Sequence, residues 1–118
     1  MRTERSIFDA IDTGNPLKFA ELFAADATIA FGNGSPLRGR EAIAAGADTF
    51  LSTIRGLSHR VLNEWHVGST TITEAEVTYT RLDNKVVTVP AVSIWQTRGD
   101  GLLVDYRVFF DLTPLYAP

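Results

Sequence analysis

Apolar residues recur at helical spacing through the first half of the chain and alternate with polar residues through the second. Thr3 is placed to cap a helix that carries Ile7, Phe8 and Ile11 on one face, and Gly14 stops it. Asn15 suits an N-cap and Pro16 a first helical position, so a second, short helix is expected to bury Leu17, Phe19, Ala20, Leu22 and Phe23. Ala27 to Phe31 reads as a brief strand, and Gly32, Asn33, Gly34 and Pro36 as a turn. Helical spacing returns from Arg40 to about Thr53, with Ile43, Ala47, Phe50, Leu51 and Ile54 inward and Gly56 marking the end.

From Leu57 the period is two. Four strands are predicted: Ser58–Val67, Thr71–Leu82, Val86–Thr97 and Leu102–Asp111. Gly68-Ser69, Asp83-Asn84 and Gly99-Asp100-Gly101 separate them as turns, which makes an antiparallel meander. Pro90 falls inside the third of these strands, where a missing donor predicts a bulge or bend. The fold class is α+β: one domain over residues 1–118, with a curved antiparallel sheet wrapped around three N-terminal helices. Helices cannot fill the open end of such a sheet, so a largely apolar pocket is expected there.

Composition narrows the options. About 45% of the residues are apolar, which fits a folded domain. The chain has no cysteine, so disulfides and thiolate metal sites are excluded. His59 and His66 lie seven apart on one predicted strand, and the odd offset puts them on opposite faces. No metal and no cofactor are expected. The net charge of −3 is scattered and lacks a basic tract, which argues against nucleic acid. Met1 to Phe8 has no leader pattern, and no run approaches the roughly 20 apolar residues of a membrane span. A cytoplasmic protein that binds no membrane is the expectation.

The segment "DTGNPLKFAELFAADATIAFGNGSPLRGREAI" resembles the opening of the nuclear-transport-factor-2-like superfamily, in which a Gly-Asp/Asn turn is followed by "LFADDA", a strand and a "GREAI" helix start. The close, "GDGLLVDYRVFFDLTPLY", resembles that group's last strand. The likeness runs from about Ile7 to Tyr116 and is nearest to the SnoaL-like branch, with limonene-epoxide-hydrolase-like and ketosteroid-isomerase-like proteins next. It implies a cystatin-like cone. It does not name a reaction, because these relatives include cyclases, isomerases, hydrolases, dehydratases and scaffolds.

Carrying the relatives' functional positions across exposes departures. The isomerase general base falls at Phe31, its tyrosine donor at Ile7 and the protonated Asp partner near Ser93. The water-holding pair of the epoxide hydrolases falls at Ile29 and Phe31. Their Arg and first Asp fall at Glu74 and Glu76, and their second Asp at Val108. Arg81-Leu82-Asp83 mimics the Arg–Asp spacing, but sits at a turn.

With that register, Glu74, Glu76, Thr78 and Thr80 face inward, as do Tyr106, Val108 and Phe110, and on the first long strand His59, Val61, Asn63 and Trp65. Glu76 is the leading candidate acid or base, since a carboxylate among apolar side chains is a poised proton carrier. A solvated residue paired with an Arg is the plainer alternative. His59 is a candidate proton shuttle and Tyr106 a group to orient a ligand oxygen; the plainer reading is a hydrogen-bonded structural residue for His59 and core packing with one satisfied hydroxyl for Tyr106. Ile29, Phe31, Trp65, Thr78, Ser93, Val108 and Phe110 are the expected ligand-binding wall. Val77, Tyr79 and Phe109 are expected on the outer face, as an apolar patch through which two copies dimerise. Asp105, Arg107 and Arg81 would form rim ion pairs there. The function expected is a pocket for a small hydrophobic molecule, serving either acid–base chemistry without a metal or binding alone; a dimerisation module is the further alternative.

Overall fold

The computed structural model describes residues 4–118, with side chains from residue 7 onward. Helix α1 spans Glu4–Asp12 and buries Ile7 and Phe8. The Thr3 cap lies outside the described residues. Gly14 closes the helix at φ +72, its N–H bonded to the Ile11 carbonyl. Helix α2, Pro16–Ala20, starts as predicted: Asn15 Oδ1 accepts the N–H groups of Leu17 and Lys18 at 3.0 and 3.3 Å. It is shorter than expected. Leu22 and Phe23 are buried, but Phe23 already opens strand β1, Phe23–Phe31, and Leu17 is exposed. A two-residue strand β2, Leu37–Arg38, that the pattern did not reveal pairs with β1. Helix α3, Arg40–Leu51, packs Ile43 and Ala47 into the core and turns Phe50 and Leu51 toward the open end.

Strands β3 (Ile54–Val67), β4 (Thr70–Arg81), β5 (Val86–Thr97) and β6 (Leu103–Phe110) form the predicted meander. A last turn of helix, α4, spans Thr113–Tyr116. The six strands make one curved sheet in the order β2-β1-β6-β5-β4-β3, in which β1 runs parallel to β6. The hairpin after β4 uses Asn84 at φ +69, and Asp83 Oδ1 accepts the Lys85 N–H at 3.1 Å.

Bulges bend this sheet, but none lies at Pro90. The β4–β5 ladder runs through Glu76↔Pro90 without a shift, and β6 begins to pair with β5 only at Ala91↔Phe110. The missing N–H therefore falls where no β6 partner exists. The register shifts instead at Leu62, because Val61 pairs with Ala75 and Asn63 with Glu74. Another shift, at Val104, sets Leu103 opposite Thr97 and Asp105 opposite Gln96.

The concave face holds the core: Val77 and Tyr79 from β4, Val89, Ala91, Ser93 and Trp95 from β5, and Tyr106 and Val108 from β6. Trp95 stacks on Tyr106 with ring centroids 5.6 Å apart. Among the described residues, no helix is long and apolar enough to cross a membrane.

Candidate active site

The open end of the cone holds a cavity lined mainly by Ile11, Phe19, Phe31, Phe50, Leu57, Val77, Val108 and Phe110, with His59, Tyr79 and Tyr106 as its polar side chains. Its inner part has a volume of about 50 Å³, above the roughly 10–15 Å³ that one water needs. A wider groove of about 420 Å³ adjoins it, lined by Gly32, Asn33, Asp111, Leu112, Thr113 and Tyr116. Phe31, Phe50 and Phe110 line both spaces and so form the partition between them. Phe31 and Phe50 stack with centroids 6.3 Å apart. Tyr116 Oη lies 3.1 Å from Thr53 Oγ1, which ties α4 across the rim to the end of α3.

His59 is the polar centre of the inner cavity. Asp12, the last residue of α1, sits 2.6 Å from its Nδ1 through Oδ1, while Asp12 Oδ2 accepts the His59 backbone N–H at 2.9 Å. The His59 side chain is 10% exposed and that of Asp12 22%. Phe8 stacks on the imidazole at 4.4 Å and 16° between planes. These contacts fix the ring. A carboxylate at Nδ1 holds the proton there and leaves the lone pair on Nε2, the nitrogen available to a ligand.

The two tyrosines differ in their partners. Tyr106 is fully buried and donates to Ser93 Oγ at 3.1 Å; burial pushes its hydroxyl up to about 12, against the lowering effect of the Ser93 bond. Tyr79 is 2% exposed and packs edge-on against Phe50 at 5.9 Å. Burial pushes Tyr79 well above the ordinary tyrosine range, and Tyr106, Tyr116 and Asp12 push in the same direction.

The expected site residues divide accordingly. Phe31, His59, Tyr106, Val108 and Phe110 meet in the cavity wall. Ile29 and Ser93 are buried inward, Ile29 in the apolar core and Ser93 as the Tyr106 acceptor. Glu76, Thr78 and Trp65 are not in the pocket. Glu76 faces outward beside Glu74, opposite Arg60, whose Nε donates to Glu76 Oε1 at 3.1 Å and whose Nη2 bonds the same oxygen. Thr78 Oγ1 meets Thr88 Oγ1 at 3.0 Å on the same outer face. The inward residues of β4 are Thr71, Thr73, Ala75, Val77 and Tyr79, one position out of step with the expectation.

Trp65 has a separate cause. The extra residue at Leu62 reverses the side-chain alternation of β3, so His59 and Val61 face inward while Asn63 and Trp65 face out. Asn63 Nδ2 donates to Glu74 Oε1 at 2.8 Å there. Asp105 and Arg107 do face outward, 3.2 Å apart, and Thr28 donates to Asp105 at 2.8 Å. Arg81 turns inward at the rim instead, and its Nη1 donates to the Ala117 carbonyl at 2.5 Å. Of the polar groups, Tyr79 in the lining and Asp12 behind His59 were not expected there, and the apolar lining residues Phe19, Phe50, Leu57 and Val77 were not expected as pocket wall either. Asp12 stood within the quoted resemblance, but nothing in its local pattern points to a histidine 47 residues away.

This cone, with its lined and partly enclosed pocket, places the chain among the nuclear-transport-factor-2-like and ketosteroid-isomerase-like folds. A hypothetical protein with a ketosteroid-isomerase-like fold from Catenulispora acidiphila DSM 44928, solved in complex with trimethylamine, superposes with TM-score 0.80 at 22% identity, covering 94% of this chain and 89% of that one. The epoxide hydrolase/cyclase-like enzyme SalBIII, of pyran ring formation in the polyether salinomycin, matches at TM-score 0.79 and 17% identity, with 92% and 88% covered. A putative SnoaL-like polyketide cyclase from Shewanella denitrificans OS-217 matches at TM-score 0.79 and 9% identity, again with 92% and 88% covered. The SnoaL-like domain model matches residues 5–106, and the chain belongs to that family. A search of the curated proteins finds no match to the sequence.

Proposed function

We propose that the protein is a general acid–base catalyst acting on a small, hydrophobic, oxygenated molecule, with the Asp12–His59 pair as the proton-transfer group. The observation that carries this is the 2.6 Å Asp12–His59 contact at the wall of an apolar cavity. Nε2 of His59 takes a proton from the substrate or an attacking water and returns it later. Asp12 holds the ring in one tautomer and stabilises the imidazolium while the proton is on it. This reading keeps the acid–base role first expected of Glu76 and moves it to His59 in the cavity wall, held by Asp12. Cyclase and hydrolase chemistry in fold relatives supports the reaction class.

The test is incubation with a panel of epoxides, β-hydroxy ketones and enones, followed by mass spectrometry for water gain, water loss or ring closure. Conversion by the wild type and its loss in His59→Gln are expected. Binding without conversion across the panel would instead favour the pocket as a binding module. That second reading draws on the apolar residues Phe31 and Val108 in the wall, where relatives carry polar groups.

We also propose that two copies pair through the outer sheet face, with a composition different from the one expected. Val77 and Tyr79 are inside, and the outer apolar residues are Trp65, Ile72, Ile94, Val92 and Phe109.

A further inference from the structure

The groove outside the phenyl partition differs in chemistry from the cavity behind it. Among the described residues that line it, Phe31, Phe50, Phe110 and Tyr116 are aromatic, and Asp111 alone is charged. The rings are held in place. Phe31 and Phe50 stack on each other, and the Tyr116 hydroxyl meets Thr53. Gly32 stands at φ +50, and a Cβ there would lie 3.2 Å from Phe110 Cε1, so only glycine lets that ring close on the rim.

Asp111 is exposed, and its Oδ1 accepts the Thr113 N–H at 2.9 Å. Hydrogen bonds from the side chain and the N–H of Thr113 hold its carboxyl below the usual carboxylate range, so it is ionised at neutral pH. Among the described residues no cationic side chain lines the groove. Arg81, a cation at the rim, is engaged elsewhere, by the Ala117 carbonyl and by Asp83 at 3.1 Å. An anion would therefore meet a carboxylate and no counter-charge. A neutral hydrocarbon would gain from the rings but nothing from Asp111. A primary ammonium is a compact, strongly hydrated charge, better served by water than by phenyl rings. An alkylated ammonium spreads its charge over an apolar envelope, which suits aromatic rings and a carboxylate together.

We propose that this groove is a binding site for an organic ammonium group, tertiary or quaternary, seated against Phe31, Phe110 and Tyr116 with Asp111 as its counter-charge. The site lies outside the partition, and binding there needs no proton transfer at His59, so the inference stands apart from the acid–base reading of the inner cavity. Each ring contributes a modest attraction at an exposed site, and the carboxylate adds a screened one. Selectivity for the charged group over a neutral group of the same shape is the property that these residues confer.

The experiment uses choline and its neutral isostere 3,3-dimethyl-1-butanol, in which a tert-butyl group replaces the trimethylammonium. Affinities are measured by NMR titration at low ionic strength for the wild type, Asp111→Asn and Phe110→Leu, with amide shifts to locate the site and melting temperatures to establish folding. If Phe110→Leu does not fold, Tyr116→Leu takes its place. The wild type should bind choline about tenfold more tightly than the alcohol, with shifts at Gly32, Asn33 and Thr113. Asp111→Asn should cut that ratio about threefold. Phe110→Leu should cut it by a similar factor, about threefold, and leave the affinity for the alcohol near its wild-type value. Equal affinity of the wild type for both compounds, or no saturable binding of choline at millimolar concentration, overturns the proposal. So does a preference that survives both substitutions, and so do titrations of choline that leave the amides of Gly32, Asn33 and Thr113 unmoved. None of these outcomes bears on the Asp12–His59 pair, whose own test is turnover.

Discussion

Asp12 grips His59 twice, at the imidazole Nδ1 and at the backbone N–H, with one carboxylate oxygen for each. The pair joins the end of α1 to β3, where His59 stands opposite Val77 of β4, so it fixes both the ring's tautomer and the seating of the helix. Asp12→Asn keeps the shape and removes the charge. The expected result is a loss of proton-transfer rate of about 10²–10⁴-fold. Loss of a charged hydrogen bond should also lower stability by about 1.5–3 kcal/mol. Deuterium exchange of a ketone checks the first, and urea denaturation the second. An unchanged exchange rate would remove Asp12 from the mechanism.

Glu76 should tolerate substitution. Its partner Arg60 is 75% exposed at the side chain and Glu76 38%, so water screens the pair. Exposed pairs of this kind contribute about 0–1 kcal/mol. Glu76→Gln should therefore leave turnover unchanged and shift the denaturation midpoint within that range. A large activity loss on a folded variant would show that the outer face reaches the chemistry.

The contrast between those two residues marks what the sequence could convey. The meander, its turns, the Asn15 cap and the inward row Tyr106–Val108–Phe110 were all legible, because each is set by local pattern. On β4 the local pattern was also sufficient: Ala75, Val77 and Tyr79 form the apolar row of the strand, and they are the buried ones. Positioning the strand by its likeness to epoxide hydrolases moved it one residue and turned Glu76 inward. Trp65 was harder, since a bulge at Leu62 leaves no mark in the alternation that a reader could separate from the strand itself. Asp12 was invisible for another reason: its role comes from tertiary proximity alone.

The outer face offers a separate prediction. Ile72 pairs with both Trp65 and Ile94, and Val92 pairs with Phe109, so two apolar rows lie side by side. Trp65 and Phe109 are each 50% exposed. A contiguous patch of this kind calls for cover, and a sheet face that pairs with itself about a two-fold axis supplies it. Light scattering at micromolar concentration should give twice the chain mass. Phe109→Arg should give the monomer mass with the fold retained. A wild-type monomer at those concentrations would count against the pairing.

Thr73 is buried at 0% exposure, and its Oγ1 has no partner among the described residues. It stands opposite Ser93, whose oxygen already accepts from Tyr106. Replacing an unpaired buried hydroxyl by a methyl group of similar shape relieves its desolvation cost. Thr73→Val should raise stability by about 1 kcal/mol and the melting temperature by roughly 3–6 °C. A lower melting temperature would mean that the hydroxyl holds an ordered water whose loss outweighs the gain.

Tyr79 and Tyr106 also set an alkaline limit. Both have hydroxyls raised above the ordinary value of 10.0 mainly by burial, Tyr106 to about 12 and Tyr79 further. A raised folded-state value means that the folded chain keeps protons which the unfolded chain gives up. Below about pH 10 both states hold them and stability is independent of these groups. Above it, the unfolded state binds fewer protons, and stability falls as pH rises. Each tyrosine contributes a slope of up to about 1.4 kcal/mol per pH unit. The Tyr106 contribution levels off near pH 12, where its folded form ionises in turn. Urea midpoints measured from pH 9 to 12 should decline more steeply in the wild type than in Tyr106→Phe, and least in the double variant with Tyr79→Phe. Parallel curves for all three proteins would show that neither hydroxyl is shielded in solution.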